Sequence, residues 1–347
     1  MLKASTTPVV LVIEDANRGD FANVLALGQL IADRLDACVE VKRLKLRANV
    51  LIPLQRLAMS ACPGGRAGGS LRRTLQRVFF SGEYVGDVRP LAVVSTLGRG
   101  EAQGAFVSAF WHVPASHLGS PKRLPANCFA IVIAHPGSVP KPTEVALPVA
   151  PTRMKLRPRT GGMPQQRIAR LCLLLGGDAP GVARYEMHFW SRSIEAAIAT
   201  AATHGAALTV STSPRSGAAV EDLVEAALAS ASLPGGTELY LYGRGDRRDI
   251  YPEIRAADVV LVTAESVSML SDGIASGART VGLYDTALPT SAWIHSFLER
   301  HRAEATLRLQ DMAKWTGGPL DLTGITPLTT CWSDTVWPAL APAFAGR

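Results

Sequence analysis

No apolar run in the sequence approaches the roughly 18 residues that a membrane-spanning helix needs. Met1 to Asp20 holds one Lys and a short apolar stretch, Pro8 to Ile13, too brief for a secretory core. Both absences point to a cytoplasmic protein. Cysteine is scarce: the five residues Cys38, Cys62, Cys128, Cys172 and Cys331 form no CxxC pair, which argues against a zinc knuckle or a disulfide framework. The seven histidines show no HxH or HExxH spacing, so no metal is expected. A GxxxxGK[ST] phosphate loop, a GxSxG elbow and a DxD metal pair are all missing. Those gaps disfavour P-loop nucleotide hydrolysis, serine-hydrolase chemistry and metal-dependent sugar transfer.

Acidic residues are unevenly absent. Residues 1–150 carry 17 basic and 10 acidic groups, residues 151–165 four basic groups and no acid, and residues 166–347 15 basic and 19 acidic groups. The first part is cationic and the last is not, which suggests an anionic partner for the first. Within 41–77 there are nine cations and no acid, interleaved with Leu51, Ile52, Leu54 and Leu57. Residues 41–80 are therefore a candidate contact for an anionic membrane surface, which would make the protein peripheral on the inner face of the cytoplasmic membrane. A solvated helical hairpin reads equally well. Aromatics for base stacking are few before Phe79, so a nucleic-acid partner is not expected.

At 347 residues the chain exceeds a single hydrophobic core. Val9 to Ile13 reads as a strand buried on both faces, Glu14 to Asp20 as a loop, and Asn23 to Leu35 as a helix. Strands follow at Ala37 to Leu44, Leu91 to Thr96 and Phe129 to Ala134. Proline and glycine then crowd 136–165. Beyond it, strands at Arg170 to Leu175, Ala207 to Ser211, Glu238 to Tyr242, Val259 to Val262 and, last, Thr280 to Leu283 alternate with helices. The expectation is α/β: two Rossmann-like, doubly wound parallel-sheet domains facing across a cleft, as in GT-B chains. Their expected bounds are 1–150 and 166–347, with a linker at 151–165 and the segment near 320–347 packing back on the first domain.

Three loops follow strands and precede helices, where doubly wound sheets bind ligands. In Thr263-Ala264-Glu265-Ser266-Val267-Ser268-Met269, a helix N-terminus offers free N–H groups and a positive dipole end to a phosphate. An ordinary N-cap by Thr263 or Ser266 is the plainer alternative. In Ser213-Pro214-Arg215-Ser216, Arg215 could fork onto a pyrophosphate or simply sit in a solvated turn. The loop around Asp15, Asn17, Arg18, Gly19, Asp20 and Asn23 offers Asp20 and Asp15 as candidate bases for an acceptor hydroxyl, or as helix caps. Gly98-Arg99-Gly100 to Gly104 has the wrong spacing for a dinucleotide loop.

These residues also carry a resemblance. Val262 to Met269, followed by Asp272, is similar to the V-T-x-D-S-V-S-M pattern of the mitochondrial-fission Elm-type family, whose bacterial members are read as GT-B glycosyltransferases. Gly176-Gly177, Ser213 to Ser216, Ser95 to Arg99 and Ala257-Asp258 match as well. The resemblance implies a nucleotide-diphosphate sugar as donor substrate, no cofactor, and a donor site at Gly177, Ser213, Arg215, Ser216, Thr263, Glu265, Ser266, Ser268, Met269 and Asp272. It implies transfer to an envelope glycan or lipid-linked acceptor; a non-hydrolysing epimerase or a non-catalytic scaffold would share the architecture. Glu265 replaces the family's Asp, Asp272 replaces its Glu, and the first loop lacks the family's His.

Overall fold

A computed structural model describes residues 7–14, 18–61, 69–83, 85–86, 89–96, 100–156, 167–179, 181–233 and 236–345, with backbone alone at 18–20, 50 and 61. The chain divides into two compact units. The first comprises Met1–His135, Val139–Thr152 and Trp332–Arg347; the second comprises Pro136–Ser138 and Arg153–Cys331. Residues 157–166, which include most of the expected linker, lie outside the described residues.

In chain order the first unit contains β1 (Val9–Glu14), α1 (Arg18–Leu35), β2 (Cys38–Leu46), α2 (Ile52–Ala61), α3 (Gly69–Phe79), β3 (Phe80–Gly82), β4 (Ala92–Thr96), α4 (Gly100–Trp111), β5 (Ala115–Leu118), β6 (Ile131–Ile133) and β7 (Glu144–Val145). Among the described residues its sheet runs β3-β2-β1-β4-β5-β6-β7, parallel except where β3 meets β2. The β-branched residues of β1 are buried on both faces, as a central parallel strand requires. Helix α1 starts at Arg18, five residues before the expected Asn23. Gly19 falls in the first turn, whose N–H groups have no intrahelical partner, so it does not break the helix there.

The second unit contains β8 (Arg170–Leu175), α5 (Met187–His204), β9 (Ala207–Thr212), α6 (Ala218–Ser230), β10 (Thr237–Tyr240), α7 (Tyr251–Ala256), β11 (Val259–Thr263), α8 (Val267–Ala275), β12 (Arg279–Tyr284), α9 (Ala292–Ala303) and β13 (Leu307–Asp311). Its sheet is β10-β9-β8-β11-β12-β13, with every neighbouring pair parallel. The strand expected to be last, Thr280 to Leu283, is followed by β13. Arg308 and Gln310 on this edge strand interrupt the apolar run that would have marked it.

The final helix, α10 (Trp332–Leu340), belongs to the first unit. Trp332 Nε1 donates to the Thr152 carbonyl at 3.1 Å, and Asp334 pairs with Arg34 of α1 at 3.1 Å. Both units are Rossmann-like, the domain content of a GT-B chain. Of the glycines of 98–104, Gly98 lies outside the described residues, Gly100 opens α4, and Gly104 lies where a Cβ would overlap Ser95. Gly104→Ala should therefore destabilise the protein by roughly 1–3 kcal/mol from overpacking, despite alanine's better helix propensity. Denaturant unfolding at unchanged slope would measure this, and a neutral result would mean that Ser95 has room to move.

Candidate functional site

In the second unit the chain winds outward from β8 to β9 and β10, then returns through α7 to β11 on the other side of β8. The carboxyl ends of β8 and β11 thus flank the point where the strand order reverses, which is where open α/β sheets bind ligands. Strand β8 ends in Gly176-Gly177, and β11 delivers Ala264-Glu265-Ser266 to the start of α8.

Glu265 occupies this crevice. Its carboxylate is fully buried and accepts the Gly177 N–H at 2.9 Å and the Thr263 hydroxyl at 3.1 Å, both on Oε1. The Gly176 N–H donates in turn to Thr263 Oγ1 at 2.9 Å. Arg215, half-exposed, brings Nη2 to 3.6 Å from Glu265 Oε1. A Cβ on Gly176 would overlap Glu265 Oε1, and one on Gly177 (φ 150°) would overlap the Arg215 backbone. Glycine at both positions is what lets β8 approach its neighbours so closely.

The loop after β9 is tied to the same place. Ser216 Oγ donates to the carbonyls of Leu175 (2.9 Å) and Gly176 (2.6 Å), Ser213 Oγ donates to the Gly176 carbonyl, and the Ser213 N–H donates to Ser216 Oγ at 2.9 Å. These serines fix the loop and so aim Arg215. Ser266 stands at the N-cap position of α8 but makes no side-chain cap bond, and Thr263 Oγ1 is engaged with Gly176 and Glu265 instead. The plain capping alternative for these two residues is therefore not what the side chains do. Ser268, Met269 and Asp272 lie half-buried on the first turns of α8.

Burial raises the Glu265 pKa to about 7 against the opposing pull of Gly177, Arg215 and Thr263. Its second oxygen, Oε2, and the Tyr185 hydroxyl have no partner at full hydrogen-bond geometry, and the Glu265 side chain is an acceptor acting on that phenol. Tyr185 stacks on Phe189 at 4.0 Å, and its phenol is pushed up by burial and then by the Glu265 charge. Sequence reasoning missed Tyr185, and it named Gly176 beside Gly177 without placing it in the site. Tyr185 sits in an irregular loop without a motif, whereas the double glycine ending a buried strand did carry a signal.

The candidates in the first unit stand differently. Asp15 and Asn17 lie outside the described residues. Arg18, Gly19 and Asp20 open α1 rather than a loop, and Asn23 is buried one turn further on. Glu101, passed over in the sequence, is buried and accepts the N–H groups of Lys122 (3.1 Å), Arg123 (2.7 Å) and Leu124 (2.5 Å). A recess of about 860 Å3 in this unit is lined by Arg89, Pro114 and Phe129, which precede β4, β5 and β6. It opens at the amino-terminal edge of the sheet, opposite the edge where such folds bind ligands.

The raised Glu265 pKa has a stability consequence. Between about pH 4.5 and about 7 the folded protein holds a proton there that the unfolded chain releases, so stability falls as pH rises through that window. Glu265→Gln removes the titration while keeping an oxygen for Gly177. From pH 5 to pH 8 the parent should lose about 3 kcal/mol relative to this variant. Parallel pH profiles in denaturant unfolding would contradict the assignment.

The match to a family model, described as mitochondrial fission ELM1, covers residues 122–325, more than half of the chain. No curated protein matches it. Among solved structures, the chain is similar to MurG from Acinetobacter baumannii, at 13% identity and TM-score 0.47, over 89% of this chain and 87% of that one. It is also similar to the glycosyltransferase SnogD from Streptomyces nogalater, at 10% identity and TM-score 0.44, over 98% and 96%. A family 9 glycosyl transferase from Veillonella parvula is similar at 10% identity and TM-score 0.44, over 98% of each chain. By the extent of the family match, the chain belongs to the mitochondrial fission ELM1 family.

Proposed function

We propose that the protein is a metal-independent glycosyltransferase that moves a sugar from a nucleotide-diphosphate donor to an envelope glycan or lipid-linked acceptor. The observation that carries this reading is the convergence of Gly177, Arg215, Glu265 and Ser266 at the strand-order reversal of the second sheet. In this reading the donor diphosphate rests on the N-terminus of α8, where Val267 and Met269 of the first turn offer N–H groups and the dipole favours negative charge. Arg215 turns from Glu265 to the phosphates and stabilises the departing charge that a metal would otherwise neutralise. Once Arg215 has turned away, the Glu265 carboxylate accepts a hydroxyl of the donor. Asp272 lies one turn further along α8, beside Ser268. An acceptor hydroxyl gives up its proton to a base on the first unit, for which Asp20 and Asp15 are the candidates.

Binding to the native state raises stability by mass action, so a thermal-shift comparison of UDP, GDP, ADP, dTDP and CMP tests the donor site directly. One nucleoside diphosphate should raise the melting temperature, and Arg215→Ala should weaken it about tenfold to a hundredfold, as expected for a charged hydrogen bond. Ser266→Ala with Ser268→Ala should also weaken it; since Ser266 makes no cap bond, folding should survive. If no nucleotide shifts the transition, the donor reading fails. If the sugar nucleotide is isomerised without any acceptor, the chemistry is epimerisation.

A further inference from the structure

Of the nine cations of residues 41–77, Arg66 lies outside the described residues and the other eight differ in what they touch. Lys42 pairs with Glu40 (2.8 Å) and Glu83 (3.7 Å), and Arg43 pairs with Glu14, all on or beside the sheet. Arg47 binds the carbonyls of Arg77 (2.8 Å) and Phe80 (3.2 Å), and the Arg72 guanidinium lies 5.1 Å from the Trp111 ring centre. These four hold the first unit together. Lys45 is exposed on β2, and on the helices Arg56 of α2 and Arg73 and Arg77 of α3 are exposed.

Those three share their helices with unusual company. Among the described residues, six large apolar side chains are exposed, and four of them are on α2 and α3: Leu54 (55%), Leu57 (67%), Leu71 (44%) and Val78 (51%). At 100° per residue, Leu71, Thr74 and Val78 form one stripe of α3 with Arg73 and Arg77 along its flank. On α2, Leu54 and Leu57 lie within about 60° of each other, whereas Arg56 projects to another side of the helix, on the wall of the recess. The opposite faces are anchored to α4: Gln55 Nε2 donates to the Ala102 carbonyl at 2.6 Å, and Arg72 covers Trp111. The leucines are therefore outward by construction, since the inward positions are already filled. No acid occurs between Glu40 and Glu83.

We infer that the outward faces of α2 and α3 dock on an anionic phospholipid bilayer. A surface that combines exposed leucines with cations and excludes acids matches lipid headgroups on both counts. An acidic protein partner would explain the charges and not the leucines spaced along two solvent-facing stripes. The docking does not depend on sugar transfer, and it is measured without nucleotide.

Cosedimentation of the full chain with vesicles of equal parts phosphatidylglycerol and phosphatidylcholine tests it. The protein should pellet at about 0.01 M salt and be released at about 1 M, as the Debye length shrinks from about 30 to about 3 Å. It should ignore pure phosphatidylcholine. Arg73→Glu with Arg77→Glu should lower partitioning at least tenfold, and Leu54→Ser with Leu57→Ser about tenfold. Both pairs are exposed, so the melting temperature should hold. Absence of pelleting at low salt, equal binding to neutral vesicles, or wild-type binding by both variants would overturn the proposal. So would binding of an oligouridylate without vesicle binding, or a concentration-dependent dimer, by light scattering, that the leucine variant abolishes.

Discussion

Removing an ionised carboxyl from water costs several kcal/mol unless hydrogen-bond donors and a counter-charge surround it. Glu265 meets that demand with a backbone N–H, a hydroxyl and a guanidinium drawn from three separate segments. The ends of β8 and β11 and the loop after β9 are thereby held to one atom, Oε1. The compensation is partial, since burial still prevails in its titration and Oε2 has no donor at full hydrogen-bond geometry.

The same device recurs through the molecule. Glu221 accepts the Thr212 hydroxyl and the Gly243 N–H, each at 2.7 Å, joining the ends of β9 and β10. Asp258 accepts the N–H groups of Ala169 (2.9 Å) and Arg170 (3.1 Å) at the opposite edge. Glu101 gathers three N–H groups of the 122–124 loop. Apolar residues build the interior of each sheet, and acids that are buried (Glu101, Glu221, Glu265) or half-buried (Asp258) set the loops at its rims. Loops fixed in this way present their remaining groups in a defined direction, which a binding site needs.

The alternation of strands and helices was legible because both sheets are parallel and their central strands are continuous apolar runs. Edge strands were not: β13 carries Arg308 and Gln310, and β7 is two residues long. At the site, the loop residues could be found from position alone, after a strand and before a helix. Their roles could not. Ser213 and Ser216 look like ligand donors in the sequence, yet the fold consumes their hydroxyls on β8. Position and the family resemblance place Glu265 in the loop, and its burial follows from the glycines at the end of the neighbouring strand β8. The basic run read as one surface, but pairing partners distant in sequence divide it.

Gly176 and Gly243 each stand where a Cβ would overlap the carboxylate of a buried glutamate, Glu265 and Glu221 respectively. Each glycine and its acid therefore form one unit of inheritance. A lineage that places any side chain at position 176 must shorten or redirect the side chain at 265, and one that shortens the acid frees the space beside β8. Paired change at 176 and 265, and at 221 and 243, would then sort relatives into those that keep a carboxylate in the crevice and those that have replaced it.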